Sequence, residues 1–555
     1  MSKLGRRSLL RGALAGGIGI LGSKLMTFES LARAQAASEH FFLFIELKGG
    51  LAWQYATDGR DLDELPLADP NVVKLLELQA DGNTPPLTPD QRTQITGGPG
   101  ANAPHGNVII LPYIDTPVAS YKKGTTNVGA KWTLGLAGHP LEPHVNDIAV
   151  VRGVRSIHNF HGGANDEAWS GIFGDRPDQT RKHMAGTLAA HLAEEKGPLL
   201  LDNIVFEGAT FPGKTSSDFL TPMRIDVRSL GALASTQASP GGTPEQRFAH
   251  ARALSQAIGD SRALGPQHKE AFAAYLSALE KAPAVQQRLA EIASRLQATD
   301  ASLDLDLQVD TALTLFQSGL TRVATLCLGA SNGQNNVDGF GLFDAHYGLV
   351  HKAPEGAFAR RTYGHYLNVQ QAMQSLARLI GLLKATRHNG KSLFEQTTVI
   401  VSSEFSRPTN ASGNEDSQGA FGAGHYNFNN NVIMFGKNVR GGAWIGKNDP
   451  ITQYAHLAKM DSVEQTDPNA IEYSVPEFFT LNQETNTWNV PMDGRVEGLS
   501  AEAAIDFAAG AVRPIMPKDI MRTVYALGGV ADAKFKSSYN GTWFSDARKL
   551  GAIVK

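Results

Sequence analysis

Cysteine is almost absent from this chain, which has 555 residues and a single cysteine, Cys327. An intrachain disulfide is therefore excluded. An excess of charge of one sign is also missing, because 51 Lys and Arg residues face 54 Asp and Glu residues, for a net charge of -3. No basic stripe interleaved with aromatic residues occurs along the chain, so we do not expect a nucleic-acid partner.

A long apolar run is missing at the N-terminus. The uncharged run 12–23 is well short of the roughly 20 apolar residues that a membrane-spanning helix needs. Paired arginines precede it and the small-x-small pattern AQA ends at residue 36, so residues 1–36 are predicted to be an export signal. The stretch GRRSLLRG resembles a twin-arginine signal, which implies export of the folded protein by the twin-arginine translocase, to the periplasm or beyond. A retained membrane anchor is the alternative.

Several common catalytic motifs are missing as well. The chain has no G-x-S-x-G, H-E-x-x-H, C-x-x-C or P-loop motif, so the usual sequence support for a hydrolase elbow, a zincin, a dithiol redox enzyme or a nucleoside triphosphatase is lacking. One G-x-G-x-x-G match begins at Gly17, but it lies inside the predicted signal with no strand before it. It therefore indicates no dinucleotide site.

The chain does contain a series of continuously apolar runs. Such runs are typical of strands buried on both faces, as in a parallel sheet covered by helices. We therefore predict that residues 37–555 form one α/β domain, with a mostly parallel central sheet and helices on both faces. The runs are 41–47, 107–112, 147–154, 198–206, 322–329, 397–403 and 431–436.

Two helical segments lie between these runs. Apolar residues spaced four and three apart predict an amphipathic helix that ends at Gly390 and leads into the run 397–403. Residues 244–300 are charged and rich in alanine, and are predicted to be a helical insertion whose simplest role is surface packing. The stripe of the first helix consists of Val369, Met373, Leu376, Ile380 and Leu383.

Ligand-type side chains are concentrated in three loops that follow predicted strands. The carboxyl ends of parallel strands open into a shared crevice, so we expect these side chains to lie close together. Carboxylates and imidazoles together suit Zn, Mn or a related divalent ion, which activates a nucleophile and neutralises charge. The residues are His158, His161, Asp166 and Glu167, then Asp338, Asp344 and His346, and finally Glu404, Arg407 and His425.

Glu404 is central to this hypothesis, because it follows directly on a strand-like run. It is predicted to be a metal ligand or general base, with Arg407 available to hold an oxyanion. Asp344 and His346 are two residues apart, which places them on the same face of an extended segment. The simpler interpretation stays open: Glu404 is solvated or paired with Arg407, and the histidines only form loop hydrogen bonds.

Six sequence elements follow one another along the chain: FIELKGGLAW, VVRGVRSIHNFHGGANDEAWSG, GFGLFDAHYG, TTVIVSSEFSR, GHYNFNNNVIMFGKNVRGG and KDIMRTVYALGGV. With these elements the chain resembles, over most of its length, the bacterial family catalogued as domain of unknown function 1501, which is grouped by fold with the alkaline phosphatase and sulfatase superfamily. The resemblance implies an alkaline-phosphatase-like fold and divalent metals that activate a nucleophile on phosphate or sulfate esters.

The same resemblance implies roles for individual residues. Glu404 and Arg407 match an E-F-G-R element, and together with Asp166 and His161 they are the implied catalytic residues. The implied metal ligands are Asp344, His346, Glu404 and His425.

The chain departs from the family pattern at two acidic positions. An acidic residue commonly follows the first Gly-Gly pair, but Leu51 and Ala52 stand there, and Asp58 substitutes only if its loop folds back. Gly424 replaces the Asp of a D-H pair. Two functions therefore remain open, an exported metal-dependent hydrolase of phosphate or sulfate esters and a non-catalytic exported protein that binds a surface partner or polysaccharide. A purely structural metal site is a third possibility.

Overall fold

The computed structural model describes residues 40–59, 122–158, 161–172, 181–225 apart from 198, 200, 207–208, 210 and 212–217, 305–328 apart from 318, 358–407, 429–448, 455–476, 480–482, 487–489, 511–539 and 542–555. The predicted signal, the run 107–112 and the insertion 244–300 lie outside the described residues. So do four of the candidate site residues, which are Asp338, Asp344, His346 and His425.

The described residues form both strands and helices. The strands are β1 (Phe41–Leu47), β2 (Lys122–Thr125), β3 (Lys131–Leu134), β4 (Ile148–Val154), β5 (Asn203–Phe206), β6 (Met223–Ile225), β7 (Val323–Leu328), β8 (Arg387–His388), β9 (Lys391–Ser392), β10 (Thr397–Ser403), β11 (Asn430–Gly436), β12 (Trp444–Ile445), β13 (His456–Lys459), β14 (Tyr473–Pro476), β15 (Thr480–Asn482), β16 (Thr487–Asn489) and β17 (Val512–Arg513). The α-helices are α1 (His161–Ser170), α2 (Met184–Lys196), α3 (Leu305–Gln317), α4 (Phe358–Ala385), α5 (Pro517–Leu527) and α6 (Asp532–Ser538).

Eight strands form the main sheet, in the order β12-β4-β11-β10-β1-β7-β5-β6. β11 is antiparallel to both of its neighbours, whereas the other pairings within the sheet are parallel. The α/β class and the mostly parallel sheet are thus confirmed. Because β11 alone runs backwards, its first residues lie at the same edge as the carboxyl ends of β4 and β10.

The central strands are buried along their whole length. Every residue of β1, β10 and β11 is buried, which explains why their central residues form apolar runs instead of alternating with polar ones. The predicted runs 41–47 and 397–403 coincide with β1 and β10, and four further runs contain or overlap β4, β5, β7 and β11.

The described residues divide into two compact units by their contacts. The first comprises those within Met1–Phe42, Ala185–Glu207 and Thr215–Leu326. Its core includes Phe41 stacked on Phe316 of α3, with ring centroids 4.8 Å apart. The second unit comprises those within Leu43–Met184, Gly208–Lys214 and Cys327–Lys555, and it contains the candidate site.

Helix α4 confirms the predicted amphipathic helix but ends earlier than the sequence suggested. It stops at Ala385, and the following residues form a hairpin in which Arg387 pairs with Ser392. Asn389 and Gly390 make the turn with φ angles of 50° and 80°. An Asn-Gly pair of this kind is the usual two-residue hairpin turn, so Gly390 ends a turn and not the helix.

Helix α1 was not predicted. The sequence placed His161, Asp166 and Glu167 on a loop that follows the run 147–154, but residues 161–170 are helical. Most residues of this helix are buried, Glu167 and Trp169 among them, and this burial compensates for the poor helix propensity of the glycines. Among the described helices, none combines the length and apolar character that a membrane crossing requires.

Candidate functional site

Glu404 lies one residue beyond β10, at the carboxyl edge of the sheet, and its side chain is buried. Its Oε1 accepts hydrogen bonds from the Gly49 amide at 2.8 Å and from His161 Nδ1 at 2.7 Å. The Ser403 hydroxyl donates to Oε2 at 3.4 Å. The structure therefore joins two predicted site residues, Glu404 and His161, which are 243 positions apart in the chain.

The Glu404 carboxylate is ionised in this environment. Burial by itself raises the pKa of Glu404, but the hydrogen bond and charge of His161, with the nearby Lys48, outweigh burial and leave the pKa below its usual value. Since an ionised carboxylate only accepts hydrogen bonds, Nδ1 of His161 carries the hydrogen.

Glu404 and Arg407 together fix the Gly49 backbone. Glu404 accepts from its amide, while the buried Arg407 guanidinium donates to its carbonyl and lies over the Phe405 ring at 5.2 Å. Burial lowers the pKa of Arg407 to about 10, although the charge of Glu404 opposes this. Gly50 follows with a φ of 75°, and a Cβ there would lie 2.3 Å from a ring carbon of Phe405. The Gly-Gly pair is thus required by conformation and by close approach.

Three titratable residues beside this site were missed by the sequence reasoning. Glu46 lies in the otherwise apolar β1 and Lys48 follows directly after it, and their Oε2 and Nζ atoms are 3.5 Å apart. Burial lowers the pKa of Lys48, but Glu46, Cys327 and Glu404 raise it by more, so the ammonium stays charged. The buried charges of Glu46 and Glu404 are thereby balanced by those of Lys48 and Arg407. A charged pair within an apolar run such as FIELK was the available signal.

His183 is the third of these residues. Its Nε2 lies 3.8 Å from Oε1 of Glu46, and its ring is stacked between Trp169 and Phe211, with centroids 5.6 Å and 4.2 Å away. Burial lowers the pKa of His183 despite the neighbouring Glu46. The imidazole is therefore neutral, and it packs as an aromatic ring.

The first residues of β11 complete the edge with amide side chains. Asn430 accepts from the Trp53 indole at 2.7 Å and donates to the Ser403 carbonyl at 2.5 Å. Asp58 is fully buried, and its Oδ2 accepts from Asn429 at 3.1 Å and from Asn448 at 2.7 Å. The loop after β1 therefore folds back, as a substituting role of Asp58 requires.

The other predicted residues of this region lie around α1. Asp166 pairs with Arg181 at the partly exposed surface. Burial, followed by the charge of Arg181, lowers the pKa of His158 to about 4, so His158 is neutral near pH 7. Glu167 is completely buried and accepts hydrogen bonds from the amides of residues 157 and 158.

The described residues supply part of the donor set that a metal ion needs. Within them, no group of three or more His, Cys, Asp or Glu side chains is arranged to hold an ion. A histidine whose Nδ1–H is held by a carboxylate is nevertheless the common form of a metal-ligating imidazole. His161 with Glu404 fits that chemistry, and the predicted ligands Asp344, His346 and His425 lie outside the described residues.

The sequence of the chain was compared with those of known proteins. No protein-family model matches the chain, and no curated protein matches its sequence. Kinship with the family named above therefore stays a prediction.

Proposed function

We propose that the chain is an exported, metal-dependent hydrolase of phosphate or sulfate esters. The observation that supports this most is the buried Glu404 carboxylate, which holds the Nδ1–H of His161 at 2.7 Å. A carboxylate in this position orients the imidazole and increases the basicity of Nε2, which suits metal ligation or proton transfer. The proposal includes the twin-arginine export route and a periplasmic or secreted location.

The proposal extends to the fold family. An alkaline-phosphatase-like arrangement is supported by the mostly parallel sheet and by the position of Glu404 at its carboxyl edge. In open α/β sheets this edge is where ligands bind. We propose kinship with the domain of unknown function 1501 family on the same grounds.

The roles of individual residues follow from the contacts. The proposed ion would be held by Asp344, His346, Glu404 and His425, and when bound it would supply charge neutralisation on the ester and activation of the nucleophile. His161 would accept or return a proton at Nε2, while Glu404 keeps its ring oriented. Asp166, which lies on α1, would assist in catalysis.

One observation favours the alternative of a non-catalytic exported binding protein. Arg407, the proposed oxyanion holder, is fully buried and donates to the Gly49 carbonyl. An oxyanion would have to replace that carbonyl as the partner of the guanidinium. If Arg407 keeps its backbone partner, the Glu404 and Arg407 side chains serve the conformation of the Gly-Gly turn alone.

The test is elemental analysis of protein purified from its export compartment without chelators, together with turnover of p-nitrophenyl phosphate and p-nitrophenyl sulfate. The variant is Glu404→Gln, and the matched control is Glu395→Gln, an exposed carboxylate just before β10. We expect bound transition metal in the wild type and the control. Turnover should fall about 10²- to 10⁴-fold in Glu404→Gln, since the carboxylate no longer orients the proton-transfer group. Absence of both metal and turnover in the wild type would favour the binding protein.

A further inference from the structure

Glu167 connects α1 to the chain segment that precedes it. The residue lies six positions after His161, the first residue of α1. Its Oε2 accepts from the amides of Ile157 at 2.9 Å and His158 at 3.1 Å, and its Oε1 lies 3.0 Å from the Ile157 amide. The carboxyl group thus joins the helix to the end of β4 by backbone hydrogen bonds that do not depend on side-chain identity.

Other contacts of α1 point in other directions. Trp169 stacks on His183, and the carbonyl of Gly171, just after the helix, accepts from the Trp543 indole at 2.5 Å. These contacts fix the far end of the helix. His161, at the near end, reaches Glu404 across the edge of the sheet. Glu167 holds the amides of residues 157 and 158, which lie three to four positions before His161, so it acts on the chain close to that near end.

We propose that Glu167 is a positioning residue that fixes the β4–α1 connection and thereby holds His161 against Glu404. Its significance for turnover rests on the proposed function, but its structural role does not. Glu167 touches no reacting atom and is not a catalytic residue. It acts through the two backbone amides that it accepts.

The relevant property of Glu167 is its ability to accept hydrogen bonds, not its charge. The side chain is completely buried, and the raised pKa, at about 7, shows that burial disfavours the ionised form. A glutamine can place its single Oε1 where Oε2 now accepts from both amides, with its Nε2 turned away from the Ile157 amide so that two donors do not face each other. A methionine has similar length and cannot replace those two acceptor bonds. The two substitutions therefore separate the effect of hydrogen-bond acceptance from the effect of side-chain volume.

The test compares Glu167→Gln with Glu167→Met in protein labelled with ¹⁵N-histidine. The readout is exchange of the His161 Nδ1–H with solvent, assigned by loss of its resonance in His161→Asn. We expect Glu167→Gln to retain the wild-type exchange rate and Glu167→Met to exchange at least about tenfold faster, the ratio that corresponds to one ordinary hydrogen bond. Wild-type exchange in Glu167→Met, or equal acceleration in both variants, would overturn the proposal.

Asp519→Asn is the matched control for general destabilisation. Asp519 is also buried and also accepts from two backbone amides, those of Met516 and Arg548, at 2.9 Å and 2.8 Å. We expect it to leave the His161 exchange rate unchanged, and acceleration equal to that of Glu167→Met would overturn the proposal. If Glu167→Met does not fold, Glu167→Asp replaces it, since its shorter side chain should also accelerate exchange. Unchanged exchange in Glu167→Asp would contradict the inference.

The two proposals fail in distinguishable ways. If the wild type hydrolyses no ester but the exchange rates behave as expected, the proposed function fails and the positioning role stands. If turnover falls in Glu167→Met while the His161 exchange rate is unchanged, the positioning role is refuted and the hydrolase proposal survives. If the hydrolase function and the positioning role of Glu167 are both correct, kcat should fall about tenfold in Glu167→Met with KM unchanged. The reason is that positioning of His161 affects the chemical step.

Discussion

Burial of Glu167 predicts an unusual dependence of stability on pH. Burial raises the pKa of this carboxyl from 4.5 to about 7, and the amides of His158 and Ile157, with the charges of Arg155 and Lys518, only partly oppose it. The folded protein therefore binds a proton at Glu167 more tightly than the unfolded chain does. Between about pH 4.5 and about pH 7 the folded state holds more protons, so its stability decreases as the pH rises.

The size of the effect follows from the shift in pKa. One pKa unit corresponds to about 1.4 kcal/mol, so a change from 4.5 to about 7 corresponds to about 3 kcal/mol once Glu167 is ionised in both states. Above about pH 7 this contribution to stability is completely lost, and the free energy of unfolding no longer changes with the titration of Glu167. A glutamine at position 167 carries no charge and can still accept from the two amides. Its stability relative to the wild type should therefore increase by about 3 kcal/mol across this window.

The assay is urea unfolding of the wild type and Glu167→Gln, followed by circular dichroism from about pH 4 to about pH 8. Comparing the two proteins at each pH cancels the contribution of every other titrating group. Glu472→Gln is the control for loss of a surface carboxylate, because the Glu472 side chain is 67% exposed and its removal should change the stability by less than about 1 kcal/mol. A Glu167→Gln difference that is constant, or that decreases as the pH rises, would refute the reasoning.

Two further predictions concern stability and use the same unfolding assay. Gly50→Ala should destabilise the protein by about 1–3 kcal/mol, because φ is 75° and the added Cβ would lie 2.3 Å from a Phe405 ring carbon. The control is Gly381→Ala in helix α4, which should be neutral or stabilising because the added Cβ has open space around it. Equal effects of the two would contradict the steric argument. Asp519→Ala should lower the free energy of unfolding by about 3–5 kcal/mol, since it breaks a buried bidentate ion pair with Arg513. Asp532→Ala should lower it by less than about 1 kcal/mol, because the Asp532 side chain is 63% exposed. A small loss in Asp519→Ala would show that the ion pair contributes little.

The strands were predictable because their burial is recorded directly in the sequence. β1 apart from Glu46 and the centre of β10 are apolar, and both strands are buried along their length, so the pattern and the structure report the same fact. The exception is instructive: Glu46 lies within β1 and is stabilised by Lys48 and His183. A polar residue inside such a strand is only understood once its partners are known, and His183 is far along the chain.

The helix at the site was not predictable for a related reason. The glycines at 162 and 163 lower the local preference for helix, and the compensating contacts are made by residues distant in sequence, such as Trp543 against Gly171. The pairing of His161 with Glu404 could be anticipated only as a shared sheet edge. Its hydrogen bond depends on how α1 is anchored, which no local pattern records.

The reversal of β11 has a consequence for how this protein can diversify. Arg407 and Asn429 both lie at the carboxyl edge, so the segment that links β10 to β11 leaves and re-enters the sheet on the same side. The length of this segment can change without shifting the register of either strand, since long loops add little closure entropy. Related chains can therefore differ in the length of this segment on either side of His425 and still retain the buried edge formed by β4, β10 and β11.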